Sequence, residues 1–348
     1  MDKRVAVISE DLVAPWDEGI KKFAYSIGTS LRADHDVRIL NIDRENAGES
    51  NGVIRMRGTR TFMSPALRSA LREFNPDAIL YVPSPSSTLA SFVRTFALRR
   101  HAPKARIAMV ALIPRRHSSR MRPFLDAACP DIIFVPSYSS LLHLNDLQLP
   151  GALAPVGVDL SVFRPPVPGE REALREKYSV PQGSFVYLHV GHLSAKRNVR
   201  QFEKLAGIPG VEAIVIGSTS TEEDRSVRAA LEQSGVRVIR EYVAVEEFYR
   251  LADCYVFPVV DHEGCVEIPL SVIESLASGL RVVSRAFGGL RDFLKPGPDL
   301  VYCDRFDDLT TAALAARDQP VVEVRSMDEF DWDNIARRLM SELEGASS

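Results

Sequence analysis

The chain has 348 residues, against about 100–200 for an ordinary domain, so two domains are expected. Hydrophobic residues make up 45% and charged residues 26%, a globular balance that excludes a wholly disordered or low-complexity protein. The formal net charge of −3 conceals an asymmetry: residues 55–122 hold 13 Arg and one Lys against Glu73 and Asp77, or +12, which leaves 29 basic and 44 acidic residues, or −15, elsewhere. A segment so biased suits an anionic partner.

Cys129, Cys254, Cys265 and Cys303 are far apart and form no CxxC pair, so neither a disulfide framework nor a metal site of the usual spacing is expected. Asp2-Lys3-Arg4 is followed by four apolar residues, too few for a signal-peptide core. No apolar run approaches the ~18 residues that span a bilayer. A cytoplasmic location is the expectation.

From the amino terminus, residues 5–8 read as a strand, residues 23–31 as a helix and residues 37–40 as a second strand, the rhythm of βαβ units. Amphipathic helices over 65–72 and 89–100 alternate with apolar runs at 78–82, 107–112 and 132–135. Near-continuous apolar strands fit a parallel sheet covered on both faces. Arg164-Pro165-Pro166-Val167-Pro168-Gly169 then breaks every periodicity, because proline fixes φ and removes a donor, and it predicts an interdomain joint. The rhythm restarts with strands at 185–190, 213–216, 236–239, 254–257 and 281–284. Two Rossmann-like α/β domains follow, each binding ligand at the carboxyl ends of its strands.

Residues 261–279 carry the most chemistry. They follow a strand, with Pro269 where a helix can begin and Gly279 where it would stop. The unpaired N–H groups of such a helix start suit phosphate. Glu267 stands before that terminus and Glu274 about two turns along, and a carboxylate suits vicinal sugar hydroxyls. Solvated helix-end carboxylates fit the same spacing.

This segment resembles the carboxyl-terminal signature of the family 4 glycosyltransferases, the glycosyl transferases group 1, retaining enzymes of the GT-B fold that use nucleotide-diphosphate sugars. In the family, seven residues separate the two glutamates. Here six residues separate Glu267 from Glu274, and Val266 aligns with the family's first glutamate. The resemblance extends to residues 157–165 (Gly-Val-Asp-Leu-Ser-Val-Phe-Arg-Pro), 246–258, the Phe287-Gly288-Gly289-Leu290 loop, and residues 330–336, which resemble the final helix that returns to the first domain. It implies domains at 1–165 and 166–325, with 326–348 crossing back, two parallel sheets facing across a cleft, and a joint near Pro165.

By the same resemblance, Lys196 and Arg197 hold the diphosphate, with His192 in place of a family arginine, and Glu274 holds the ribose. Glu267 with the backbone of Ile268, Pro269 and Leu270 holds sugar and phosphate, Gly288 and Gly289 shape the pocket, and Val243 lies in the base pocket. Glu267, Lys196 and Arg197 are the candidates for catalysis. Gly19 matches the first domain's glycine loop, though a plain helix-start glycine fits as well. Arg115, Arg116 and His117 are acceptor-side candidates.

The implied activity is a metal-independent, hexosyltransferase-like transfer to a hydroxyl acceptor by a front-face mechanism, in glycan or glycolipid synthesis, with a nucleotide-diphosphate sugar as substrate and no other cofactor. An epimerase or phosphorylase of the same fold, or a non-catalytic nucleotide-sugar binder, is the alternative. The basic 55–122 segment fits an anionic inner membrane face with a lipid-linked acceptor, an acceptor phosphate, or plain solvated helix faces. No helix-turn-helix, RNP or finger pattern accompanies the charge, so nucleic acid is not an expected partner.

Overall fold

The computed structural model describes residues 2–43, 47–219, 223–262, 265–305, 308–319 and 324–345. In chain order the elements are β1 (Arg4–Ser9), α1 (Gly19–Leu31), β2 (Asp36–Asp43), β3 (Gly48–Ser50), β4 (Val53–Arg57), α2 (Pro65–Phe74), β5 (Ala78–Val82), α3 (Leu89–His101), β6 (Arg106–Val110), α4 (Arg122–Ala127), β7 (Ile132–Val135), α5 (Tyr138–Asp146) and β8 (Gly151–Leu153). There follow α6 (Glu170–Lys177), β9 (Phe185–Gly191), β10 (Val211–Gly217), α7 (Arg225–Gln233), β11 (Arg237–Ile239), α8 (Val245–Leu251), β12 (Cys254–Phe257), α9 (Leu270–Ala277), β13 (Arg281–Arg285), α10 (Leu290–Phe293), β14 (Leu300–Cys303), α11 (Asp308–Arg317) and α12 (Trp332–Gly345).

Two compact units result, one of Met1–Val156 with Trp332–Ser348, the other of Gly157–Asp331. Among the described residues the first holds an eight-stranded sheet in the order β3-β4-β2-β1-β5-β6-β7-β8, parallel except for β3. Its strands bury apolar side chains on both faces, as the continuous runs require. Leu67, Leu71 and Phe74 of α2, Phe92 and Leu98 of α3, Leu125 of α4 and Leu144 of α5 join one face. On the other lies α1, where Gly28 permits a close approach: a Cβ there would sit 2.6 Å from the Ile39 side chain.

Helix α12 completes this unit. Trp332 meets Phe23 of α1 edge to face at 5.5 Å, Lys3 pairs with Glu344, and the Arg338 guanidinium donates to the Leu153 carbonyl at 3.1 Å.

The second unit has a six-stranded parallel sheet among its described residues, in the order β11-β10-β9-β12-β13-β14. Val227 and Leu231 of α7 and Leu309 and Ala313 of α11 pack on one face with Phe202. The division at Val156/Gly157 lies ahead of the expected 165/166, for a physical reason. Val158 N donates to Phe330 O at 2.8 Å, and Glu170 pairs with Arg164 at 2.8 Å and Arg250 at 3.1 Å, which ties the proline-rich segment into the second unit.

The α12 dock yields a prediction. Trp332→Ala removes a buried indole and is expected to cost about 3–5 kcal/mol of first-unit stability. Trp16, stacked on Tyr25 at 4.2 Å in the same unit, remains to report denaturant unfolding by fluorescence. An unchanged midpoint would show that the docked helix adds nothing.

Candidate functional site

In the second unit the chain steps from β9 outward through β10 and β11, then returns to the other side of β9 with β12, β13 and β14. The direction therefore reverses between β9 and β12, the place where open parallel sheets bind ligands. These two strands pair only at Tyr187–Cys254 and Leu188–Tyr255, whereas β9 pairs with β10 along its length. Beyond that point a side chain takes over from the ladder. His189 Nδ1 lies 3.1 Å from the Val256 carbonyl, and because a carbonyl only accepts, the ring proton sits on Nδ1.

His189 is fully buried among Phe202, Tyr255 and Phe257, and its Nε2 has no hydrogen-bond partner among the described residues. Burial pushes its pKa from 6.5 down to about 4, and the positive charges of Arg197 and His192 press it further in that direction. Arg197, on the short 3-10 turn Ala195–Arg197 after β9, also hydrogen-bonds the Cys265 thiol. Burial raises that thiol's pKa, with Arg197 opposing. Arg197 is thus half-buried against the segment that follows β12, while Lys196 beside it is exposed.

The glutamate segment is assembled from the other side. Glu267 O accepts from Gly289 N at 3.0 Å, and Gly288 has φ +52°, with an added Cβ only 2.0 Å from that same oxygen. No side chain fits, so the Gly288-Gly289 loop is fixed against the Glu267 backbone. Helix α9 begins at Leu270 with Pro269 extended before it and Ile268 buried behind. Glu274 is 5% exposed and accepts from the Tyr249 hydroxyl at 3.2 Å. Val243 lies half-buried between β11 and α8. Glu263 and Gly264 of the same segment lie outside the described residues.

The first unit has its own reversal, between β1 and β5. Sequence reasoning missed what sits there. Glu10, just past β1, has its side chain 16% exposed, pairs with Arg94, accepts from Tyr81 Oη at 2.9 Å and from Ser84 N at 3.1 Å, and burial raises its pKa despite Arg94. Gly19 opens α1 behind an acidic approach, where burial raises the Glu18 carboxyl, with Asp11 and Asp17 adding to the rise and Lys21 opposing it.

Arg115 is exposed, with its backbone N–H on Ser87 Oγ and its Nε on Ser86 Oγ, both at 3.3 Å. Arg116 is exposed beside it. His117 packs edge-on to Phe92 at 5.6 Å, and burial, then His143, lowers its pKa. No group of three or more His, Cys, Asp or Glu is placed to hold a metal ion among the described residues.

The signals for the missed groups were faint. His189 shows as a polar residue inside an apolar strand run, and Tyr249 as one aromatic among several in residues 246–258. Neither betrays its partner, which topology supplies.

Because His189 is held neutral, the sign of its pH dependence is fixed. The unfolded chain binds the extra proton first, so its contribution is fully present above pH 6.5 and is lost as the pH falls toward 4, to a total of about 3 kcal/mol. Denaturant unfolding of the wild type is expected to lose stability across this window, and His189→Phe is expected to flatten that slope.

Residues 185–318 match the family model described as glycosyl transferases group 1. The D-inositol 3-phosphate glycosyltransferase of Xylanimonas cellulosilytica is 30% identical over 214 residues, 54% of this chain and 49% of that protein. The GDP-mannose-dependent alpha-mannosyltransferase of Mycobacterium tuberculosis is 30% identical over 142 residues, 40% of this chain and 35% of that one. The chain thus spans about half the length, or less, of these curated relatives. A glycosyltransferase structure from Rickettsia africae superposes with TM-score 0.77 at 11% identity, covering 99% of this chain and 98% of that one. Anabaena HepE in complex with UDP and glucose superposes with TM-score 0.72 at 13% identity, covering 99% and 100%. The expected resemblance is borne out: the fold is GT-B, and residues 185–318 match the glycosyl transferases group 1.

Proposed function

We propose that this chain transfers a sugar from a nucleotide-diphosphate sugar, bound at the carboxyl ends of β9 and β12, to a hydroxyl acceptor with retention of configuration. The carrying observation is that Arg197 meets Cys265, two residues ahead of Glu267, whose backbone holds the Gly288-Gly289 loop and leads into α9, all within the family-matched residues. Arg197 with Lys196 meets the diphosphate, Glu274 the ribose, Val243 the base, and Glu267 with the backbone of Ile268, Pro269 and Leu270 the sugar and phosphate. In the front-face step the acceptor oxygen bonds to the anomeric carbon as its bond to the diphosphate breaks, and the departing phosphate oxygen takes the acceptor proton. Fixed cations at that oxygen stabilise the charge that develops on it, the kind of electrostatic preorganisation that lowers a barrier by several kcal/mol. Gly19, in its acidic surroundings, is assigned to sugar hydroxyls.

The acceptor is assigned an anionic group, taken by Arg115 and Arg116. Ser87 holds the Arg115 backbone N–H and Ser86 its guanidinium, and a relative is named for an inositol phosphate. His117, packed on Phe92, is assigned to shaping that place.

The basic segment is assigned to an anionic membrane face. Helices α2, α3 and α4 pack side by side, and Met63, Phe96 and Phe124 remain 44%, 38% and 39% exposed among arginines that include Arg100 and Arg120. Apolar side chains ringed by arginine suit anionic lipid, at about 1 kcal/mol per cation near the surface. No helix among the described residues is long and apolar enough to cross a membrane, so the contact would be peripheral.

Calorimetry against UDP-, GDP- and ADP-sugars, followed by transfer assays, tests the donor reading, with UDP-glucose and GDP-mannose first because relatives carry those names or ligands. Glu274→Ala is expected to weaken donor binding at least about tenfold, the loss of one charged hydrogen bond. Unchanged affinity would remove Glu274 from the site, and tight binding without turnover on any acceptor would leave a binder in place of a transferase. For the surface, flotation with anionic vesicles is expected to be strong at low salt and to fade as salt rises. No flotation at low salt would refute the membrane contact.

A further inference from the structure

Two buried tyrosines stand between the groups assigned to the two halves of the donor. Tyr249 of α8 and Tyr255 of β12 are each 0% exposed, with ring centroids 5.8 Å apart, and Phe163 closes on Tyr249 edge to face at 5.8 Å. Their hydroxyls point to different tasks. Tyr249 Oη donates to Glu274 Oε2 at 3.2 Å. Tyr255 Oη donates to the Val190 carbonyl at 3.3 Å and is hydrogen-bonded by Ser271 in the first turn of α9. Val190 immediately precedes Gly191, where β9 ends and the turn carrying Lys196 and Arg197 begins.

Neither contact is needed to fill space, since phenylalanine fills a tyrosine's ring volume. A buried hydroxyl without a partner is costly, so each phenol is held to its acceptor, and each acceptor is held to the phenol. Burial keeps both phenols protonated and therefore donors. One ring pair thus couples a carboxylate on α9 to the strand end that launches the cation turn, across residues separated in sequence from 190 to 274.

We propose that Tyr249 and Tyr255 are positioning residues with divided duties: Tyr249 sets the Glu274 carboxylate for the ribose hydroxyls, and Tyr255 sets the end of β9, and so Arg197, for the diphosphate. This rests on the reading of the second unit as a nucleotide-sugar site. It goes beyond that reading in assigning ribose and phosphate recognition to two separate hydrogen bonds.

The test uses the full-length chain and two substitutions, Tyr249→Phe and Tyr255→Phe. Calorimetry is run with uridine and guanosine diphosphates, their 2′-deoxy and 3′-deoxy counterparts, and their monophosphates. Tyr249→Phe is expected to cut the preference for the ribonucleotide over a deoxy form by about tenfold while keeping the preference for diphosphate over monophosphate. Tyr255→Phe is expected to do the reverse. Circular dichroism and a thermal melt check that both variants fold. If both preferences fall together in either variant, or neither moves in both, the division of duties is wrong while the donor site stands. If the wild type binds none of these nucleotides, the donor reading fails and the tyrosine assignment fails with it.

Discussion

The parting of β9 from β12 governs the candidate site. Two registered pairs hold the strands together, after which Val256 turns its carbonyl to a histidine side chain and the Tyr255 hydroxyl reaches back to Val190. A sheet that stayed zipped would leave no room between the strand ends, and one that parted without substitutes would strand buried polar groups. His189 and Tyr255 satisfy the carbonyls that the ladder abandons, and Arg197, on the turn after β9, meets Cys265 on the segment after β12. The electrostatics follow from the same packing: a neutral imidazole below the cation turn adds no charge, which an apolar cage enforces.

The fold was legible in the sequence where burial was two-sided. Runs such as Ala78–Val82, Ile132–Val135 and Cys254–Phe257 are buried at every position and coincide with the expected strands. What escaped were elements at or next to a sheet edge. Gly48–Ser50 is exposed throughout, Gly151–Leu153 is short and half-buried, Val53–Arg57 mixes arginine with apolar residues, and Leu300–Cys303 is a brief run beside a proline-glycine turn. The proline-rich segment misled for a related reason. Proline reports that regular structure stops, but which unit the loop joins depends on Glu170 finding both Arg164 and Arg250.

The site was legible only in part. Pro269 and Gly279 bracket α9 as expected, and Gly288 is required by its contact with the Glu267 backbone, so local motif chemistry identified real constraints. The sequence did not show that Lys196 and Arg197, neighbours in the chain, differ in burial, or that Glu274 has a phenol donor. Those facts come from strands and helices meeting far along the chain. Counting charge had a similar limit: of the thirteen arginines in residues 55–122, Arg94 is spent internally on Glu10, Arg99 on Asp131 at 3.0 Å and Arg122 on Asp126 at 3.5 Å. The field offered by that surface is smaller than +12 and is concentrated on the remaining cations.

Because α12 belongs to the unit built by the first 156 residues, the chain's two ends are partners in one fold while the middle forms a unit of its own. On a ribosome, which makes the chain from its amino terminus, residues 157–331 are all synthesised before Trp332. The later unit therefore has the opportunity to fold first. Meanwhile Phe23 on α1 waits without its edge-to-face indole, an apolar surface that a nascent chain exposes until Trp332 has been made. The order of synthesis and the order of completion are opposite, and stalling before α12 is made would leave the earlier-made unit as the unfinished one.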